Sequence, residues 1–416
     1  MMFRRPVHRR VCGVLLIMGL YAARAHAQSS VGAGPLTATL TDTEPATGVL
    51  SLGPMKLAPG LTVRELGWDD NVFDEAESEG PKEDWVVAAQ PDLSIFTRLR
   101  FVRLSAYGGA ELTYYKKYES ERSVGYAGRA RVDFLLSRVR PFFGGGATRT
   151  RTRPNGEIDV RADRLEQEVS SGLAFDLSEH SLLYGAAFKS SSRYERALQD
   201  GVDLSTALSR DSFNYQGGLK TDITPLLSLQ LLGSYQEDKF HSEPIRNSIG
   251  KGATAILRFA PEAVIAGQIT MSYRDTHFAD PGLEPFRGFV GNAALVFPVL
   301  EIGRITFVYL RGVEYSFDVA EAYYVENSGT LAYTHRLFGE VDLQGKVARS
   351  SFDYSARPTE RPHIDTLDTA GGSLGYNLRN RTRISLNYEY SRRRSPAFSA
   401  RNYQRRRVFL SWLFAF

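Results

Sequence analysis

From about residue 60 to the end of the chain, apolar and polar positions alternate with a period of two, in one segment after another. Successive side chains of a strand point to opposite faces, so this alternation gives each strand one apolar and one polar side. In 102–114, Val102, Leu104, Ala106, Gly108, Ala110, Leu112 and Tyr114 share a face, opposite Arg103, Ser105, Glu111 and Thr113. In 227–235, Leu227, Leu229, Leu231 and Tyr235 oppose Ser228, Gln230 and Ser234, and in 263–273 Ile265, Ile269, Met271 and Tyr273 oppose Gln268, Thr270, Ser272 and Arg274. Ile384, Leu386, Tyr388 and Tyr390 likewise oppose Arg383, Ser385, Asn387 and Glu389. One such segment also fits a strand on a soluble core. About eighteen in series, most near the ~9–11 residues that span an outer membrane, with no helical segment between them, predict an all-β fold. The predicted architecture is a transmembrane, antiparallel, up-and-down β-barrel of about eighteen strands, of the Gram-negative outer-membrane type.

The connections support this independently, because such barrels alternate short turns on one side with longer loops on the other. Short gaps fall near 98–100, 137–138, 178–180, 224–226, 260–262, 298–301, 335–338 and 379–381. Between them lie longer polar stretches near 74–84, 119–123, 153–159, 193–210, 238–246, 275–285, 318–321, 351–365 and 392–402. Nine loops and eight turns give eighteen strands with both termini on the short-turn, periplasmic side. Tyr114, Tyr235, Tyr273, Tyr315, Tyr388 and Tyr390 fall at the long-loop ends, as an aromatic girdle requires. Two charges break the pattern: Glu65 and Arg311 fall on the nominal lipid face, which predicts a bulge or a different register there.

Composition refines the picture at the ends. Arg4, Arg5, Arg9 and Arg10 precede an apolar run from Gly13 to Ala23, and Ala25-His-Ala27 is a small-x-small site, so residues 1–27 are expected to be a signal peptide. Residues 28–59, rich in Ala, Thr, Gly, Leu and Pro, are expected to form a periplasmic extension before a barrel at 60–416. Cys12 leaves with the leader, so a mature chain has no disulfide and no thiolate site. The formal net charge of +4 includes Arg4, Arg5, Arg9, Arg10 and Arg24; without these five it is −1, which removes the support for nucleic-acid binding based on overall charge. The last strand carries Val408, Leu410, Trp412, Phe414 and Phe416 on one face. It resembles the C-terminal targeting strand of outer-membrane barrels, with Trp412, Phe414 and Phe416 as the signal read by the barrel-assembly machinery.

Charged side chains on the polar face are candidates for a lumen lining: Arg103, Glu111, Arg129, Arg131, Asp133, Arg304, Glu314, Lys346, Arg383 and Glu389. A barrel of ~16–18 strands is too wide for side chains to fill, so these groups should line water, either as a selective field or as solvated mutual ion pairs. Arg149, Arg151 and Arg153 share a face and are expected to form a lumen ladder for carboxylate or phosphate groups. Arg392, Arg393 and Arg394, then Arg405, Arg406 and Arg407, add basic density at the outer end, which equally suits lipopolysaccharide phosphates. The acidic loop with Asp69, Asp70, Asp74, Glu75, Glu77, Glu79, Glu83 and Asp84 is expected to be solvated rather than folded in. His180, His241, His277, His335 and His363 fall in turns and loops with no serine or acid in an evident relation to them, and no metal or phosphate-binding motif occurs. No enzymatic activity, catalytic residue, metal or cofactor is expected.

The stretch Leu57-Ala-Pro-Gly-Leu-Thr-Val-Arg-Glu-Leu-Gly-Trp-Asp-Asp-Asn-Val-Phe73, with its turn at Asp70, Asn71 and Phe73, resembles the opening of the Putative beta-barrel porin 2 family. The resemblance implies an outer-membrane barrel and, through its relatives, a link to exopolysaccharide or capsule export. It brings no catalytic residues, only a structural turn at Asp70, Asn71 and Phe73. The first expectation is therefore a conduit for an anionic exopolysaccharide, with export proteins, outer-membrane lipid and lipopolysaccharide as partners and the cell outer membrane as location. A general diffusion porin for small solutes, and an adhesin or structural barrel with an occluded lumen, are the alternatives.

Overall fold

Each alternating segment forms a strand hydrogen-bonded to the next, and the last pairs with the first. The computed structural model describes residues 50–300, 302–318, 322–354, 363–378 and 382–415. The expected signal peptide, most of the expected extension and Phe416 lie outside these. The strands are β1 (Met55–Asp69), β2 (Asp84–Arg98), β3 (Val102–Tyr115), β4 (Ser123–Phe134), β5 (Val139–Thr152) and β6 (Ala162–Asp176). They continue as β7 (Ser181–Tyr194), β8 (Arg210–Thr224), β9 (Leu227–Phe240), β10 (Ser248–Phe259), β11 (Ala266–Phe278) and β12 (Phe286–Val299). The ring is completed by β13 (Gly303–Tyr315), β14 (Tyr323–Phe338), β15 (Val341–Tyr354), β16 (Ile364–Leu378), β17 (Thr382–Arg394) and β18 (Tyr403–Ala415). Gly60 of β1 faces Ala415 of β18 and Asp69 faces Arg407, which closes the barrel between its first and last strands. Leu50–Leu52 folds back on Met55–Leu57. The boundary drawn at residue 60 thus falls inside β1.

The outer surface is apolar: Leu112, Tyr114, Tyr126, Phe143, Val169, Met271, Phe289, Leu374, Tyr388 and Trp412 are all exposed. A continuous apolar band of this kind needs lipid to cover it. Among the described residues no helix is long and apolar enough to cross a membrane. The register of the strands explains the two misplaced charges differently. In β1 the pairing shifts between Val63 and Glu65, a bulge that turns Glu65 to the lumen, where Arg407 lies 3.3 Å away. β13 has no shift against β14, and Arg311 stays on the outer face, donating to Asn327 Oδ1 at 2.6 Å and to the Phe289 carbonyl at 3.0 Å.

One turn moves. The gap expected at 335–338 is still strand, with His335 opposite Leu343 in the ladder. The reversal occurs at Gly339, whose φ of 51° a side chain would resist. The long connections are L1 (residues 70–83), L2 (116–122), L3 (153–161), L4 (195–209), L5 (241–247), L6 (279–285), L7 (316–322), L8 (355–363) and L9 (395–402). L4 carries a five-residue helix, α1 (Leu204–Leu208), whose first turn is capped by Asp203 accepting from the Ser205 amide.

Candidate functional site: the lumen and the loop that crosses it

The lumen wall follows from the ladders, because residues directly opposite in an antiparallel pair share a face. Arg103, Glu111, Arg129, Arg131 and Asp133 lie on the face away from exposed Leu112 and Tyr126. Arg304 and Glu314 face away from exposed Tyr309, and Lys346, Arg383 and Glu389 away from exposed Val347 and Tyr388. Most of these charges are engaged with one another. Asp133 takes Arg131 at 2.8 Å and Arg103 at 3.2 Å. Glu389 takes Lys346 at 2.6 Å and also Arg407, while Asp342 takes Arg383 at 2.7 Å. Glu111 pairs with Arg64. Arg129 stands over the Tyr107 ring and Arg131 over the Phe142 ring.

The expected arginine ladder is not in the lumen. Arg149 lies opposite Tyr126, which is exposed on the outer surface, so Arg149 and Arg151 point outward. There they approach Glu195, Asp163 and Glu121 at 2.8–3.7 Å. Only Arg153, already in L3, turns in. The reason lies in the segment before it: Phe142 and Phe143 are both apolar and Gly144, Gly145 and Gly146 carry no side chain, so nothing in the sequence fixes the face of β5. The structure fixes it through Phe142, buried with Ala174, Leu182 and Tyr184. The other basic triplets split by alternation. Arg392, Arg394 and Arg406 are exposed on the outer face, whereas Arg393, Arg405 and Arg407 turn inward.

Those inward arginines anchor the loops. Arg405 binds Asp69 and, at 3.1 Å, Asp74, and Asp74 also takes Arg153 at 3.1 Å. L1 therefore folds in along its first half, with Asn71 and Val72 fully buried, and only Glu77, Glu79 and Glu83 keep the expected exposure. Burying these carboxylates is tolerable because each finds a guanidinium.

L3 makes the longest reach. Asn155 Oδ1 accepts from the Glu157 and Ile158 amides, a tight turn that aims Glu157 inward. Buried Glu157 accepts from Ser316 Oγ at 2.7 Å and from the Phe317 amide at 3.1 Å, both in L7. Asp159 takes Arg393 of β17 at 2.9 Å, and Gly156 lies so close to Phe352 of β15 that a Cβ there would overlap the ring. L3 is rooted between β5 and β6, and β15 stands about halfway round a ring of eighteen strands. The loop therefore crosses the lumen.

A cluster of buried apolar groups holds the crossing in place: Ile158 of L3, Leu204, Ala207 and Leu208 of α1, and Phe240, Tyr315 and Phe317. Fully burying each large side chain contributes ~1.5–3 kcal/mol. Arg246 of L5, wholly buried, donates to the carbonyls of Ala207, Ser316 and Ala322 and stacks on Phe240. Burial brings its pKa down to about 10, against the pull of Tyr315 and Glu157, so it stays charged at neutral pH. Burial pushes Asp159 up from the ordinary carboxylate value, with Arg393 and Arg153 opposing. Asp200 of L4 also feels burial, but hydrogen bonds from Arg401 and Gln199 carry it below the ordinary value. None of Glu157, Arg246 and Arg401 was a site candidate in the sequence. The available signals were apolar Ile158 and Val160, and Leu204 and Leu208, inside stretches otherwise polar.

Among the described residues, no group of three or more His, Cys, Asp or Glu is arranged to hold a metal ion. The family model described as Putative beta-barrel porin 2 matches residues 48–416. The chain belongs to this family. It is an outer-membrane β-barrel, porin-like in fold. No curated protein matches the chain. Among solved structures, a BenF-like porin from Pseudomonas fluorescens has 12% identity and a TM-score of 0.50, covering 86% of this chain and 99% of that one. OpdO from Pseudomonas aeruginosa has 13% identity and a TM-score of 0.48, covering 86% and 97%. The siderophore receptor PirA from Pseudomonas aeruginosa has 10% identity and a TM-score of 0.41, covering 86% and 80%. At these identities the likeness concerns the fold alone.

Proposed function

We propose that this member of the porin family is a non-enzymatic channel for small solutes, narrowed at its long-loop mouth by L3, with that mouth on the cell surface. The crossing of the lumen from β5 and β6 to Phe352 and Arg393 carries the reading. A ring of eighteen strands leaves a water-filled interior, so a loop across it sets the largest solute that passes. The paired charges of the wall, Asp133 with Arg103 and Arg131 and Glu389 with Lys346 and Arg407, bias which ions enter.

Export of an anionic polysaccharide has less support. The basic ladder that suggested a polymer track is dissolved, with Arg149 and Arg151 outside, and a chain of sugars needs a continuous opening where L3 lies. The outward arginines, Arg392, Arg394 and Arg406 among them, instead suit phosphates of lipopolysaccharide. Liposome swelling with sugars of graded size tests the reading. Uptake of mono- and disaccharides with exclusion of long dextrans and acidic polysaccharides is expected. Swelling with none of them from correctly folded barrels would favour an occluded, structural role.

A further inference from the structure

The barrel wall is split at one place. β11 and β12 pair up to Thr276 and Phe286, and β13 and β14 pair up to Tyr315 and Tyr323. Between them, the β12–β13 ladder stops at Gly291 opposite Arg311. Beyond that point the facing edges, residues 286–290 and 312–315, have no ladder partner in each other. Unpaired backbone at membrane depth is tolerable only where it lines a cavity or finds another donor. Arg311 supplies one donor by bonding the Phe289 carbonyl at 3.0 Å. Phe289 packs against Tyr273 at 5.3 Å, both exposed on the outer surface, so the split begins at the aromatic row where barrel meets interface.

Free of β12 but still paired with β14, the end of β13 leans inward. Tyr315 has the same parity as lipid-facing Tyr309, yet it is buried, and its hydroxyl donates to Asp238 Oδ2 on the lumen face of β9 at 2.7 Å. Val313, of that same parity, lines a cavity together with lumen-facing Arg274, Thr276, Phe278 and Phe286. The cavity therefore lies between the displaced outer face of β13 and the inner wall of β9–β12, directly behind the split. One side of it is aromatic. The other presents half-buried Arg274 together with Lys251, Asp238 and Glu314, neither acid within ion-pair distance of Arg274. Asp238 is already taken by Ser212, Gln236, Ser248 and Tyr315.

We propose that the split between β12 and β13 is a lateral portal, through which an amphiphilic carboxylate with an unbranched apolar tail passes between the membrane interface and this cavity, its head group held by Arg274. The aromatic wall of Phe278 and Phe286 covers the tail, and the guanidinium takes the carboxylate in a two-point contact. As it stands the cavity, about 30 Å³, holds only a few waters, so entry requires the ends of β13 and β14, laddered to each other up to Tyr315 and Tyr323, to swing outward together. That motion breaks no β12–β13 ladder bond, since none exists above Gly291; what it costs is the Tyr315 hydrogen bonds to Asp238 and Ser248.

The test uses the whole barrel in nanodiscs and radiolabelled dodecanoate. Saturable binding is expected, with affinity falling at least tenfold in Arg274→Gln and unchanged in Arg258→Gln, which sits lower on the lumen wall. Acetate should compete poorly. Phe289 and Val313 would face each other if the ladder continued, so the double variant Phe289→Cys/Val313→Cys should lose binding on oxidation and regain it with reductant. Its potassium chloride conductance should persist in both states, which separates this portal from the axial path. The proposal is overturned if dodecanoate does not bind, if Arg274→Gln keeps its affinity within twofold, if acetate competes as well as dodecanoate, or if the oxidised pair binds normally. Should the pair not oxidise, the Arg274 arm decides alone.

Discussion

Gly156 is the residue on which the crossing of the lumen turns, because its missing side chain lets L3 lie against Phe352. Gly156→Val should lift the loop tip from the wall, cost ~1–3 kcal/mol of local packing and raise single-channel conductance. Unchanged conductance would mean that the tip does not limit flow. Arg246→Ala removes the donor shared by three buried carbonyls and should destabilise the lid formed by the packed loops L3, L4, L5 and L7 by ~2–4 kcal/mol, seen as faster proteolysis of L4 and L5 in an intact barrel. Asp159 and Asp200 set a pH dependence of two signs. Asp159 has a raised pKa when L3 is docked, so the docked loop binds a proton more tightly than the undocked one. Closure is therefore favoured as pH falls from neutrality through the docked value toward the ordinary carboxylate range. Asp200 has a lowered pKa, so its tie to Arg401 is fully present above the ordinary range and lost as pH falls below it through the docked value. Open probability should drop on mild acidification, and Asp159→Asn should abolish that drop. These side chains were not legible in the sequence, since what makes Glu157 or Asp159 special is a partner 159 or 234 positions away.

At the scale of elements, the strands were legible and the loops were not. Period-two alternation with aromatic ends identifies a strand from its own residues, and Glu65 marked the β1 bulge because a lipid-facing acid had to be explained. Alternation failed where it had nothing to read. Gly144, Gly145 and Gly146 leave the face of β5 undetermined, so alternation alone puts Arg149 and Arg151 on the wrong side. Tyr315, expected in the outer girdle, turns inward because its strand has left the β12 ladder. L4 holds its place through α1, whose Leu204 is wholly buried against L3. Leu204→Ala should cost ~2–5 kcal/mol of lid packing and speed tryptic cleavage at exposed Arg196, while the barrel keeps its resistance to detergent unfolding. Loss of the barrel itself would mean that the lid and the wall are one cooperative unit.

For the whole molecule, strand number, closure and membrane placement follow from the repeated pattern and its alternating connections, and the structure adds what the loops do with the space inside. The inward arginines of β17 and β18, rather than a ladder on β5, meet the acids of L1 and L3 and draw those loops across the mouth. The central claim is that L3 limits flow through an otherwise wide pore. Single-channel conductance in planar bilayers, comparing the native chain with one whose residues 154–160 are replaced by a short Gly-Ser link, tests it most directly. Small native steps that grow several-fold on shortening the loop are predicted. Large native steps that do not change would contradict the account.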